Sequence, residues 1–231
     1  MKWRILCYHV VEPVQAGAFA SQLKRFKAAG LSFKPLSECL EKENMDARGL
    51  TVSFDDGDRT VCEVAQPILD DLGIKAILYL TTDYVLRGET YAAPCRRPAV
   101  SWEQLGHWLD AGHEIGAHTH GHVNLTKCSS EQCLEELEKS RALIERELGI
   151  SPVDFSYPWG QYNPAALQVL KRTSWRSAAT INRGWNHCGW DPFTLRRDVV
   201  EPDWTHGKLH FLLALGSIGP LYKLQRWLRI R

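Results

Sequence analysis

Two short stretches of this sequence set acids and imidazoles at spacings that suit a metal ion and proton transfer. The first is Thr51-Val52-Ser53-Phe54-Asp55-Asp56-Gly57, where a run suited to a buried strand meets two adjacent carboxylates and then a glycine. Successive side chains of a strand point to opposite faces, so an Asp-Asp pair inside a regular strand would leave one acid in the core. At a strand end the backbone turns and both acids can reach one cleft, with Gly57 supplying the permissive turn. Two carboxylates this close resist ionising together unless positive charge sits between them. A divalent ion would meet that need, taking one acid as a ligand and leaving the other to accept a proton from water. The plain alternative for Asp-Asp-Gly is a turn that opens the next helix.

The second stretch is His118-Thr119-His120-Gly121-His122. Residues four apart share a face of a helical turn, so His118 and His122 can meet at one metal. Two imidazoles plus Asp56 make a three-ligand site with open positions, the arrangement of a catalytic ion rather than a closed structural one. Zinc suits the set by ligand type, with cobalt, nickel, manganese and iron as alternatives. His120 is expected to point away from the other two. His107, His113 and His210 read as solvated or core histidines.

The elements that must position these groups alternate along the chain. Strands are expected over Arg4–Tyr8, Leu50–Phe54, Lys75–Leu80, Glu114–Ala117, Val153–Tyr157, Ser177–Ile181 and Phe193–Arg196. Helices are expected over Ala18–Ala29, Leu36–Lys42, Val61–Leu72, Ser101–Ala111, Ser129–Leu148 and Pro164–Arg172, with Leu134, Leu137, Ile144 and Leu148 on the inner stripe of the longest. Such alternation implies a parallel α/β barrel or a doubly wound sheet, and 231 residues suit one domain. His9, Asp55-Asp56, His118 and Tyr157 each fall at or just past a strand's C-terminal end, and in a barrel those ends form one catalytic face. Residues 83–100 are expected to be irregular, and Arg87, Arg96 and Arg97 there read as a solvated loop, with a phosphate or pyrophosphate contact as the alternative. Trp159, Trp185, Trp190 and Trp204 read equally as core residues or as platforms that stack on sugar rings.

Three motifs in order carry a resemblance: Ser53-Phe54-Asp55-Asp56-Gly57, then Gly116-Ala117-His118-Thr119-His120-Gly121-His122-Val123-Asn124-Leu125, then Phe155-Ser156-Tyr157-Pro158-Trp159-Gly160. Together they resemble the polysaccharide deacetylase family, the NodB-homology group or carbohydrate esterase family 4, from about Tyr8 to Leu195. The resemblance implies a distorted (β/α)7 barrel that removes acetyl groups from sugars with a divalent metal. Asp55 would be the catalytic base, and Asp56, His118 and His122 the metal ligands. The backbone N–H of Tyr157 would help hold the oxyanion. Two features depart from the family pattern. Ser156 stands where an arginine is usual, and the late Leu-x-His-Asp segment is missing, with Leu195-Arg196-Arg197-Asp198 near its place. Both resemble the branch acting on poly-N-acetylglucosamine, in which an N-terminal Tyr-His replaces the missing acid. Here that is Tyr8-His9, with His187 and His206 as competitors. Trp159 and Arg197 are the expected substrate contacts.

A formal net charge of +1 gives no sign of a nucleic-acid partner. Seven cysteines without a CxxC pair read as reduced thiols, several of them buried. The apolar run at the start is too short for a signal sequence, so a cytoplasmic protein is expected. Residues 209–231 pair Phe211, Leu212, Leu221 and Trp227 with Lys223, Arg226 and Arg229, as in a core-packing helix or a peripheral helix at the inner membrane face. The substrate expected is an N-acetylated sugar, as oligosaccharide, polysaccharide or lipid-linked glycan. The other readings are a deformylase or related amidohydrolase, and a barrel that binds glycan without turning it over.

Overall fold

The computed structural model describes residues 2–41, 49–91, 94–187, 189–204 and 207–208. Seven strands make the frame: β1 (Lys2–Tyr8), β2 (Gly49–Asp56), β3 (Ala76–Leu80), β4 (Glu114–Ala117), β5 (Asp154–Ser156), β6 (Ser177–Ala179) and β7 (Arg197–Val199). They lie in the order β7-β1-β2-β3-β4-β5-β6 with every neighbouring pair parallel. The ring closes where Leu195, just before β7, bridges Ala179 of β6 in parallel. Short pieces at Ser32–Phe33 and Asn186–His187 flank the ring, the second antiparallel to the start of β1. Around it run α1 (Ala16–Ala28), α2 (Leu36–Leu40), α3 (Gln66–Asp71), α4 (Thr82–Arg87), α5 (Trp102–Asp110), α6 (Ser130–Leu148) and α7 (Pro164–Lys171). The expected distorted (β/α)7 barrel is the fold observed.

Strand alternation divides the core in two. Ile5, Ile77, Tyr79, Ala179 and Leu195 fill the barrel, with Leu36 and Cys39 of α2 packed against them. Leu6, Val52, Phe54, Leu78, Leu80 and Phe155 face the helices and pack on Leu23, Leu105, Trp108, Leu137 and Ile144. Burial on both faces explains why the strands read as continuous apolar runs. The helices begin where capping chemistry allows: Ser101 and Ser129 accept hydrogen bonds from the Gln104 and Gln132 amides, and Gln104 and Gln132 reach back.

Parallel register aligns the strand ends. Tyr8 lies beside Phe54, Asp56 beside Leu80 and Leu80 beside Ala117. His9, Asp55, Asp56, His118 and Tyr157 therefore stand on one rim.

Several sequence expectations are corrected. The last strand is Arg197–Val199, because Asp191 caps a tight turn over Pro192–Thr194 and delays it. Residues 83–100 are partly helical, in α4, and then form a two-stranded ribbon pairing Glu89–Thr90 with Arg97–Pro98. On α6 the buried stripe runs through Cys133, Leu137, Ser140 and Ile144, and Leu134 is exposed. The six described cysteines are free, with Cys7, Cys39 and Cys133 buried. No described helix is long and apolar enough to cross a membrane. The expectations for 209–231 and for His206 and His210 lie outside the described residues.

Candidate active site

Asp55 and Asp56 both belong to β2, so regular alternation would send them to opposite faces. Asp55 continues the inward parity of Ser53, and Asp56 should face the helices. It does not, because its φ is 74°, in the left-handed region that non-glycine residues seldom adopt. Gly57 follows with φ 100°. This backbone twist, expected from sequence only as a turn, brings both carboxylates to the cleft.

The histidines arrive on a loop rather than on the helical turn that the i, i+4 spacing suggested. Thr119 and His122 have φ of 64° and 52°, which folds residues 118–122 back on themselves. The two rings lie 5.0 Å apart, with Nε2 of His118 and His122 at 3.6 and 3.3 Å from Oδ1 of Asp56. His118 Nδ1 donates to the Ser156 carbonyl at 2.7 Å, which leaves Nε2 as the free lone pair. Burial, with His118 nearby, lowers the His122 pKa to about 4, so its ring is neutral and ready to ligate. His120 turns away to Thr82 Oγ1 at 2.9 Å.

Oδ1 of Asp56 is buried and has no hydrogen-bond partner. A bare buried carboxylate oxygen facing two imidazole nitrogens is costly unless a cation joins them. The donor set therefore fits a divalent metal held by Asp56, His118 and His122, which lie mutually within 4.8 Å.

Asp55 has a different environment. Arg197 grips it with two hydrogen bonds of 2.7 Å, one to each oxygen. The same guanidinium donates to Ser156 Oγ at 2.7 Å and to the Thr180 carbonyl at 2.9 Å. Burial alone would raise the Asp55 pKa, but Arg197, aided by His118, holds the carboxyl far below the usual range. Arg197 is fully buried. The expected substrate contact is thus corrected: its position in β7, beside Ile5 of β1, points it into the barrel beneath Asp55. The Ser156 departure now has a physical reason. A small residue there leaves room for an arginine from a strand on the other side of Asp55.

His9 stands over this pair. One of its ring nitrogens, Cys7 Sγ and an Asp55 oxygen lie within 4.8 Å of one another. That trio is a poor second cation site, because Arg197 already occupies both Asp55 oxygens and burial raises the Cys7 pKa, keeping it a thiol. His187 pairs with Lys2, at the opposite end of β1, and is removed from the competition.

The expected oxyanion donor is also corrected. The Tyr157 N–H is spent on the Ala179 carbonyl at 3.0 Å, and the buried ring sends its hydroxyl to the Phe193 carbonyl. Residue 158 is proline, so the next amide is that of Trp159, for which no acceptor occurs among the described residues. Trp159 itself has φ 55° and is 49% exposed, with its ring 4.4 Å from that of His122. Gly160 behind it has no room for a side chain: a Cβ would lie 2.5 Å from the Ile181 amide nitrogen. The other tryptophans are engaged elsewhere, Trp185 by Arg4, Trp190 by Arg196 and Trp204 by Arg183.

The arginine loop has no free charge for a phosphate. Arg87 pairs with Asp83, Arg96 with Glu89, and Arg97 with both Asp58 and Glu12.

A family model described as polysaccharide deacetylase matches residues 42–178. The chain belongs to the polysaccharide deacetylase family. It is 28% identical over 171 residues to a poly-beta-1,6-N-acetyl-D-glucosamine N-deacetylase of Staphylococcus aureus, covering 69% of this chain and 58% of that protein. The chain thus spans a little over half the length of such curated relatives. Among solved structures, IcaB from Ammonifex degensii superposes with a TM-score of 0.80 at 25% identity, covering 87% of this chain and 92% of that one. Deacetylase PplD of Streptococcus pyogenes, solved with acetate, gives 0.77 at 23% identity, over 90% of this chain and 96% of that one, a likeness of fold. These similarities agree with the exopolysaccharide branch of the deacetylase family to which Ser156 and the missing late histidine pointed.

Proposed function

We propose that this protein is a metal-dependent hydrolase that removes the N-acetyl group of an amino sugar in a glycan or lipid-linked glycan, as a step in making a cell-surface polysaccharide. The observation that carries this reading is the contrast between two adjacent carboxylates. Asp56 offers an unpaired oxygen to two imidazoles, while Asp55 is held ionised by Arg197.

A divalent ion held by Asp56, His118 and His122 would supply Lewis acidity and a more acidic water. Asp55 takes the proton of the attacking water; its low pKa keeps it ionised throughout the neutral range. The Trp159 N–H donates to the oxygen that gains charge as the acetyl carbon becomes tetrahedral. His9, within 4.8 Å of an Asp55 oxygen, gives a proton to the departing amine, because expelling an unprotonated amide nitrogen is prohibitive. The exposed face of Trp159 stacks on the sugar ring and sets the acetyl group against these groups.

The test is acetate release from N-acetylated oligosaccharides and a lipid-linked N-acetylhexosamine by zinc-loaded protein, with Asp55→Asn alongside. Acetate from the wild type and none from a variant that still binds zinc is the expected result. Formate from N-formylated counterparts of the same sugars, with no acetate from the acetylated ones, would move the reading to a different amidohydrolase. Stoichiometric zinc with no hydrolysis would move it to glycan binding.

A further inference from the structure

We propose that Tyr91 is a positioning residue for the metal, holding Asp56 so that it offers one oxygen only. The inference rests on the metal reading of Asp56, His118 and His122. Tyr91 donates its hydroxyl proton to Oδ2 of Asp56 at 2.5 Å. The other oxygen, Oδ1, faces the two imidazoles without a partner. A carboxylate with one oxygen committed to a strong donor is fixed in rotation and ligates through the other.

The chain commits structure to this contact. Tyr91 has φ 58°, a conformation that a tyrosine seldom adopts. It follows directly on the ribbon in which Glu89 and Thr90 pair with Pro98 and Arg97. The ribbon is pinned to the segment just after the two aspartates: Val100 N–H donates to the Gly57 carbonyl at 2.9 Å, Arg59 N–H to the Pro98 carbonyl at 2.9 Å, and Arg97 pairs with Asp58. The segment that directly follows Asp56 thus anchors the ribbon that brings Tyr91 back to it. The Tyr91 ring packs edge-on against Tyr84 at 5.7 Å, and Tyr84 lies 5.8 Å from His122. One aromatic pair therefore backs two of the three ligands.

The experiment is zinc binding by chelator competition on metal-free wild type, Tyr91→Phe and Arg96→Ala, which disturbs only an exposed ion pair on the same ribbon. Loss of the hydroxyl is expected to weaken zinc about tenfold, the scale for partners of metal ligands. Arg96→Ala should bind as the wild type does. With cobalt in place of zinc, the visible spectrum of Tyr91→Phe should shift as Asp56 gains freedom to bind through both oxygens. Zinc affinity within about twofold of wild type and an unchanged cobalt spectrum would overturn the proposal. A wild type that binds neither metal would overturn the metal reading beneath it.

Discussion

The ionisation of Asp55 depends on Arg197, and Arg197→Met tests that dependence. The substitution keeps an unbranched side chain and leaves Asp55 buried without its cation. Removing one member of a buried pair costs about 3–5 kcal/mol, a fall in Tm on the order of 10 °C for a chain of this size. The sign of the pH dependence follows. In the wild type the folded pKa of Asp55 lies below its unfolded value. Its contribution to stability is complete above the ordinary carboxylate range and fades as pH falls through the folded value. In the variant burial dominates and the folded pKa rises above the unfolded one. The penalty is then absent at low pH and grows as pH rises. Urea midpoints at about pH 5 and about pH 8 should show the larger loss at the higher pH. The acid limb of kcat/KM should move to higher pH, because Asp55, the proposed base, is then protonated over part of the working range. Ser156→Arg combined with Arg197→Ser should recover part of the activity, since the guanidinium then reaches Asp55 from β5. A variant with the wild-type acid limb and a loss below about 1 kcal/mol at both pH values would refute the reasoning.

Three further outcomes are expected. His9→Gln should lower kcat on an N-acetyl amide by roughly 10²–10⁴, and far less on an aryl acetate whose leaving group needs no proton; equal losses on both would remove His9 as the acid. Trp159→Ala should raise KM for an oligosaccharide roughly three- to tenfold, as for a lost aromatic contact, with a smaller change in kcat because the backbone N–H stays. His113 is buried, stacked on Trp108, and accepts from the Ala76 N–H at 3.1 Å, and burial lowers its pKa to about 4. Its contribution is therefore whole above the unfolded histidine value and is lost as pH falls toward 4, by up to about 3 kcal/mol. His113→Gln should flatten that part of the stability profile measured by urea unfolding.

Much of this protein follows from local pattern. Apolar runs bounded by glycine gave the strands and helices, and the strand-end polar residues pointed to one rim, because parallel strands align their C-terminal ends. Residue type and spacing singled out Asp56, His118 and His122, and the fold brings their ligand atoms within 4.8 Å of one another. The failures were of two kinds. Backbone geometry replaced regular periodicity at Asp56, His122 and Trp159, where positive φ values redirect side chains in ways that helix and strand rules do not encode. At Tyr157 the amide proved to be spent within the sheet, so the free N–H moved to Trp159.

The other failures were of distance in sequence. Arg197 is 142 residues from Asp55, and Tyr91 is 35 from Asp56. The sequence carried one hint of the first, the serine where an arginine is usual, which leaves a carboxylate in need of a cation from elsewhere. Nothing local marked Tyr91. Which side chains exist, and which chemistry they suit, the sequence determined by itself. Which charge meets which carboxylate was decided only by closing the barrel, because a buried acid takes its ionisation from whatever the fold brings within a few ångströms of it.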